Sequence, residues 1–87
     1  MMYRKKAVDI EARQVNMANI EQVANWCNGI VKRREDNFRP SIQIMTLEGV
    51  VTAQLDDWVI KGVMGEFYPC RDDIFKLTYE PVNEKEV

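Results

Sequence analysis

The chain contains no histidine and only two cysteines, and both shortages limit its chemistry. Without histidine, Ser-His-Asp and Cys-His catalysis are excluded and the commonest protein ligand of zinc is missing. Cys27 and Cys70 alone cannot form a closed structural zinc site. Because a single cysteine pair is not the dense disulfide framework of a small secreted protein, we expect two reduced, mostly buried thiols.

Long apolar runs and a strong charge of one sign are also missing. The longest apolar runs, such as residues 58–60, are far shorter than the roughly 20 residues that a membrane-spanning helix requires. The basic N-terminus is followed by alternating residues rather than by the apolar core of a signal peptide. Twelve basic and fourteen acidic residues give a net charge of −2, which supplies no long-range attraction for nucleic acid or an anionic membrane. We therefore expect a cytoplasmic protein that contacts no membrane and does not have nucleic acid as its main partner.

The length and composition favour one small globular domain. Eighty-seven residues are too few for two cores, and 46% apolar with 30% charged residues is ordinary for a folded chain. We expect the domain to span residues 1–82 and the charged residues 83–87 to form a flexible tail. Because a core of this size stabilises little, self-association as a homo-oligomer stays open.

The first third of the chain predicts a strand followed by a helix. Apolar and polar residues alternate over residues 6–15, which is typical of a half-buried strand. Asn19 is a candidate N-cap with Gln22 as the partner of a capping box, and Gly29 is the expected helix stop. The helix predicted over residues 19–28 has an apolar stripe of Ile20, Val23, Ala24 and Cys27, with Trp26 at its margin.

A basic cluster follows in residues 32–40. Its cations are interrupted by Glu35 and Asp36, which weakens the cluster. Beyond a brief strand at residues 30–32, we interpret the segment as a solvated polar connection. The alternative is a contact surface for phosphate or an acidic partner, formed by Lys32, Arg33, Arg34 and Arg39.

The remainder of the chain predicts short strands separated by turns. Residues 42–55 resemble a hairpin, residues 58–61 and 66–68 form two further strands, and Pro69 ends the last of them. A single helical turn at residues 75–77 and a last strand at 78–82 complete the pattern. The fold class is therefore α+β, with one short helix packed on a curved antiparallel sheet or small barrel.

Residues 56–75 are dense in aromatic residues and turn formers, and they fill either the core or a pocket. The acidic pairs in this segment are typical of caps and turns, and Cys70 has no base beside it to activate its thiol. We therefore expect no catalytic residue, no metal and no cofactor. The candidate binding residues are the polar and aromatic side chains that remain after the scaffold is assigned: Trp58, Lys61, Glu66, Tyr68 and Arg71.

Several motifs in a fixed order indicate a resemblance. These are YRKKAVDIEARQV and NIEQVANWC near the start, then DWVIKG, GEFYPC, DIF and TYE. The chain resembles a widespread group of small phage and prophage proteins of unknown function, over most of its length except residues 32–40. It departs from the group at Asp56, where the turn before Trp58 usually carries glycine, and at Asp72, where proline is common. The resemblance implies phage or prophage origin and a bacterial cytoplasm, and it implies no activity.

Together these features predict a phage accessory protein that is not an enzyme and that binds a host or phage protein. The second hypothesis is a small-ligand protein that holds a nucleotide-like molecule beside Trp58, Phe67, Tyr68 and Arg71. The third is a weak RNA-binding barrel. An enzyme comes last, because only carboxylate or lysine chemistry would be available to it.

Overall fold

The computed structural model of the chain describes residues 1–4, 6–34 and 37–82. The tail predicted at residues 83–87 lies outside them. Six strands and two helices form in the described residues. In chain order they are β1 (Glu11–Gln14), α1 (Ile20–Trp26), β2 (Ile30–Arg34), β3 (Asn37–Thr46), β4 (Gly49–Ala53), β5 (Trp58–Lys61), β6 (Phe67–Cys70) and α2 (Asp72–Thr78).

The strands form two antiparallel sheets of three strands each. The first sheet has the order β1-β5-β6 and the second the order β2-β3-β4. The predicted α+β class is confirmed, whereas the sheets do not close into the barrel that was its alternative form. A second helix, α2, replaces the single turn expected at residues 75–77.

The core lies where α1 meets the inner faces of both sheets. The predicted stripe of α1 is confirmed, since all four of its residues are buried, and Trp26 packs at the margin as expected. Alternate residues of β3, together with single residues of β4 and β5, meet this stripe. The buried residues that the strands and the β1–α1 connection supply to this cluster are Val15, Ile42, Ile44, Ala53 and Val59.

Helix α1 begins and ends differently from the prediction. Asn19 makes no capping hydrogen bond to the helix; instead its side-chain amide donates to the carbonyl of Gln14 at 2.7 Å and ties the helix start to β1. At the other end Asn28 adopts a left-handed φ of 57°, and the amide of Gly29 donates to the carbonyl of Ala24 at 2.8 Å. This is a Schellman ending. Glycine is required at position 29 because a Cβ there would lie 2.6 Å from Cγ2 of Ile42.

The predicted strand over residues 6–15 is shorter in the structure. Only β1 pairs, because its partner β5 ends at Lys61, opposite Glu11, and offers no further residues. Residues 79–82 form no strand. Pro69 does not end its strand but pairs with Val59 inside β6. Proline is tolerated there because β6 is an edge strand of its sheet.

The polar connection expected at residues 32–40 is wrong for most of its length. β2 and β3 pair through this segment, with Lys32 opposite Ser41 and Arg34 opposite Asn37, and the register shifts between Lys32 and Arg34. A bulge of this kind increases the local twist of the paired strands. The basic cluster therefore lies on a sheet rather than on a loop.

Candidate functional site

The first sheet is covered on one face by α2. Trp58 of β5 and its cross-strand neighbours Gln14 and Cys70 point to this face. The ring of Phe75 stacks on Trp58 with centroids 4.1 Å apart and planes 7° apart, and Tyr79 stacks on Phe75 at 5.0 Å. Ile60 points to the same face and is fully buried. Aromatic stacking of this kind stabilises α2 against the sheet.

Asp72 ties α2 to the strands beneath it. Its Oδ1 accepts hydrogen bonds from Trp58 Nε1 at 2.9 Å and from Gln14 Nε2 at 3.2 Å. Its Oδ2 pairs with Lys76 Nζ at 3.1 Å, one turn further along the helix. The Trp58 bond and then the Lys76 contact lower the pKa of Asp72 below its ordinary value. Both oxygens of this carboxylate thus have structural partners.

The opposite face of the first sheet belongs to the core. Val59 is fully buried in the core cluster, and Phe67 packs against that cluster. The ring of Phe67 meets Trp26 edge-on at 5.0 Å, while the guanidinium carbon of Arg13 lies 4.3 Å from the centroid of the Trp26 ring. Both faces of the first sheet therefore contact other parts of the same chain.

The candidate binding residues predicted from the sequence are not gathered on one surface. Trp58 and Tyr68 share the face under α2, and Lys61 points to the other face at the exposed end of β5. Glu66 lies in the turn before β6, where its carbonyl accepts the amide of Gly62 at 2.7 Å. Arg71 forms an exposed ion pair with Asp73 at 2.8 Å.

Two side chains of this region have raised pKa values. Burial and then the hydroxyl of Tyr79 raise the pKa of Tyr68 to about 12. Burial also raises the pKa of the Cys70 thiol, and Asp57 and Asp73 add to the effect. Cys70 and the buried Cys27 are free thiols, as expected. A thiol whose pKa is raised is a weaker nucleophile at neutral pH.

The second sheet has one face in the core and the other in solvent. Ile42 and Ile44 of β3 and Ala53 of β4 point inward and are buried. The residues between them point outward, with Gln43 opposite Thr52 and Met45 opposite Val50. We call this solvent side of β2, β3 and β4 the outer face.

One end of the outer face is apolar. Ile30, Met45 and Val50 point outward from the three strands, and they are 60%, 75% and 56% exposed. Met45 lies directly opposite Val50 and diagonally across from Ile30, because Ile30 pairs with Gln43. We call these three residues the outer stripe. Leu47, at the adjacent hairpin turn, is also fully exposed.

The other end of the outer face is a polar hollow of about 630 Å³. Three cations line it: Lys32, Arg33 and Arg39. The floor of the hollow carries the hydroxyl groups of Ser41 and Thr52 and the side-chain amide of Gln43. Ser41 lies opposite Lys32, and Thr52 lies opposite Gln43. Arg33 already pairs with Glu21 of α1 at 2.8 Å. None of the described residues that line the hollow is acidic.

The chemistry of the hollow is that of an anion-binding surface. It combines cations with neutral hydrogen-bonding groups, and its described lining contains neither a cysteine nor a histidine. Within residues 1–4, 6–34 and 37–82, no group of three metal-ligating side chains lies close enough together to hold a metal ion. The hollow can therefore hold an anion in place, and its described lining offers no acid–base pair for catalysis.

Sequence reasoning identified the basic cluster but missed the outer stripe. The cluster is visible as four cations within eight residues. The stripe is not visible because its three residues belong to three strands and alternate with core residues such as Ile44. The pairing register of the strands brings these residues together. In the sequence, only the consecutive apolar residues Ile44 and Met45 of β3 hinted at an apolar outer face.

Comparison with protein-family profiles, with curated proteins and with solved structures finds no match to this chain. In the described part of the chain, neither helix is long and apolar enough to cross a membrane.

Proposed function

We propose that the protein is a non-enzymatic interaction module that binds another protein through the outer face. The observation that carries this proposal is the outer stripe, a contiguous apolar surface that none of the described elements covers. Single exposed apolar residues are normal, whereas a contiguous apolar row across the strands of an open sheet is typical of an interface.

The pattern of β3 supports a covered outer face. In a sheet that is buried on both faces, the strands have apolar residues at consecutive positions. In a sheet with one solvated face, apolar and polar residues alternate along each strand. Ile44 and Met45 are consecutive apolar residues, yet Ile44 is 1% exposed and Met45 is 75% exposed. Since the described part of the chain covers only the inner side, a partner molecule is the natural cover for the other.

An interaction module also fits the chemistry of the described residues better than an enzyme. The polar groups of the outer face are cations, hydroxyls and amides, which suit the positioning of a partner by charge and hydrogen bonds. The resemblance to phage and prophage proteins makes a host or phage protein the partner that we propose. The expected location is the cytoplasm of the bacterial host.

Site-specific photocrosslinking in expressing cells tests this function. A photoreactive residue in place of Thr52, which is exposed on the outer face, is compared with one in place of Leu77, which is exposed on α2. We expect Thr52 to yield a crosslink to one protein, identified by mass spectrometry, and Leu77 to yield none. The double variant Met45→Ser/Val50→Thr should reduce the Thr52 crosslink at least fivefold.

A matched control changes the same residue types elsewhere. Val63 and Met64 are exposed in the turn between β5 and β6, so Val63→Thr/Met64→Ser removes equal apolar surface away from the outer face. This variant should leave the crosslink unchanged. Equal capture at Thr52 and Leu77, or a product that is a second copy of the chain, would overturn the proposal.

A further inference from the structure

We infer that the partner presents an extended acidic segment, whose carboxylates enter the polar hollow while its apolar side chains cover the outer stripe. This inference rests on the proposed function and names the chemistry of the partner. Four residues of the hollow, Lys32, Ser41, Gln43 and Thr52, lie on the same face of the same three strands as the stripe, so one bound segment can contact both.

The charges of the hollow select an anion. Lys32 is exposed on the outer face, and no described acidic side chain forms an ion pair with it. Arg33 already holds the carboxylate of Glu21 at 2.8 Å. The guanidinium of Arg39 adds a third cation to the lining. The whole chain has a net charge of −2, so this positive surface is a local feature.

The neutral groups of the hollow suit carboxylates as well. Ser41, Gln43 and Thr52 lie beside one another across β3 and β4, and each can donate a hydrogen bond. Hydrogen bonds to an ionised acceptor are shorter and stronger than those between neutral groups. An acidic side chain that enters the hollow therefore finds donors on its floor and cations at its walls.

Strand geometry sets the spacing within the bound segment. Ser41 and Met45 point to the same face of β3 and are four residues apart. At about 3.3 Å per residue, Ser41 in the hollow and Met45 in the stripe are separated by roughly 13 Å along the strand. An extended partner segment should therefore carry an apolar side chain and a carboxylate about four residues apart.

Nucleic acid fits this face less well than an acidic peptide. Nucleic-acid platforms combine a basic groove with aromatic side chains on which bases stack, and the lining given by residues 32, 33, 39–41, 43, 52, 54 and 55 contains no aromatic side chain. Arg33 is already paired with Glu21. The apolar stripe beside the hollow would also meet a charged phosphate backbone.

A second copy of the chain fits less well for a geometric reason. In a two-fold interface the same face meets itself. With the axis along the strands, the hollow would meet the hollow and bring cations against cations. With the axis across the strands and midway between the two regions, the apolar stripe would lie on the charged hollow. Both arrangements are unfavourable, because like charges or unpaired charges are desolvated. With the axis through the stripe, the two stripes would cover each other but both hollows would be left uncovered, so a second copy would use only part of the face.

Peptide binding tests the inference. The probe is a fluorescently labelled, extended peptide with a leucine pair followed four residues later by three glutamates. A second peptide carries glutamine in place of the glutamates. We expect the glutamate peptide to bind the full chain at least tenfold more tightly than the glutamine peptide in low salt, and to weaken as salt is added.

Variants of the chain locate the effect. Lys32→Glu should weaken the binding of the glutamate peptide at least tenfold. Lys32→Ala should weaken it by a smaller factor. Lys6→Glu makes the same charge reversal at an exposed position outside both sheets and should change binding less than twofold. Thermal unfolding of each variant confirms that the fold is retained.

The outcomes separate this inference from the proposed function. Three results would show that the inference of an acidic segment is wrong while the proposed interaction module stands. Both peptides could bind equally, Lys32→Glu could have no effect on binding, or neither peptide could bind while the Thr52 crosslink persists. If an oligouridylate binds more tightly than the glutamate peptide, the acidic segment is also overturned. Loss of the Thr52 crosslink itself removes the proposed function.

Discussion

The two sheets of this protein have the same number of strands and the same antiparallel pairing, but they differ in how their faces are covered. The first sheet has α2 on one face and the core on the other. The second sheet has the core on one face and solvent on the other. The first sheet thus contacts its own chain on both faces, whereas the second sheet has one face open to solvent.

The difference shows where surface remains for a partner. In the first sheet, Trp58 stacks on Phe75 and its indole N–H donates to Asp72, so this aromatic side chain contacts its own chain. In the second sheet, Met45 and Val50 lie opposite each other across the strands and are mostly exposed. We infer that the aromatic side chains stabilise the fold and that the less conspicuous apolar residues serve binding.

The largest expected effect comes from the two faces of β3. Ile42→Ala should lower the free energy of unfolding by about 3 kcal/mol, because Ile42 is fully buried and a cavity would remain. Met45→Ala, three residues away on the outer face, should change it by less than about 0.5 kcal/mol. Urea denaturation measures both. Equal losses of unfolding free energy in the two variants would show that the outer face is packed like the core. The contrast between the two faces of β3 would then be removed.

Removing the cover of the first sheet should have the next largest effect. Phe75→Ala deletes the ring between Trp58 and Tyr79 and should cost about 2 kcal/mol of unfolding free energy, from lost apolar burial and stacking. Leu77→Ala, at an exposed position of the same helix, is the control and should be close to neutral. Denaturation followed by tryptophan fluorescence measures both. If Phe75→Ala is as neutral as Leu77→Ala, α2 does not hold that face.

A smaller effect should appear in acid, at Asp72. Because the pKa of Asp72 is lowered in the folded protein, its carboxylate stabilises the fold above the ordinary aspartate pKa of about 3.9. That contribution is lost as the pH falls through the lowered pKa. Asp72→Asn should therefore remove part of the acid dependence of stability below about pH 4. Unfolding curves at several acidic pH values measure this, and identical pH profiles for the two proteins would contradict it.

The smallest effect should appear in alkali, at Tyr68. Its pKa is raised to about 12, so the neutral phenol is favoured in the folded protein. The resulting stability is present below the ordinary tyrosine pKa of about 10 and is lost as the pH rises from there through the raised value. Spectrophotometric titration should show one tyrosine that ionises late. Tyr68→Phe should remove that late step, and its persistence would assign the step to another tyrosine.

Local patterns in the sequence were enough to predict much of the fold. The stripe of α1, β5 and the hairpin of β3 and β4 all follow from periodicity and turn residues that lie close together in the chain. The cap predicted at Asn19 was wrong because its side chain bonds to Gln14 instead, a contact set by how β1 meets α1. The pairing of Lys32 with Ser41 and of Arg34 with Asn37 was missed because polar paired strands resemble a loop when their register is unknown.

The candidate site depended on information that the sequence does not carry directly. The basic residues of the hollow are close together in sequence, and their role as a contact surface for an acidic partner was one of two open interpretations. The outer stripe needs the pairing of Met45 with Val50 and of Ile30 with Gln43 before it exists as a surface. Aromatic density pointed instead to the first sheet, because composition does not distinguish stacking within a chain from stacking on a ligand.

Chemical-shift mapping by solution NMR tests the central claim most directly, because it compares the two sheets in one experiment. The glutamate peptide is titrated into the isotopically labelled chain and the amide shifts are followed. We expect the largest changes at Lys32, Ser41, Gln43, Met45 and Thr52, and small changes over residues 58–70. Changes centred on Trp58 and Tyr68, with none on the outer face, would contradict it.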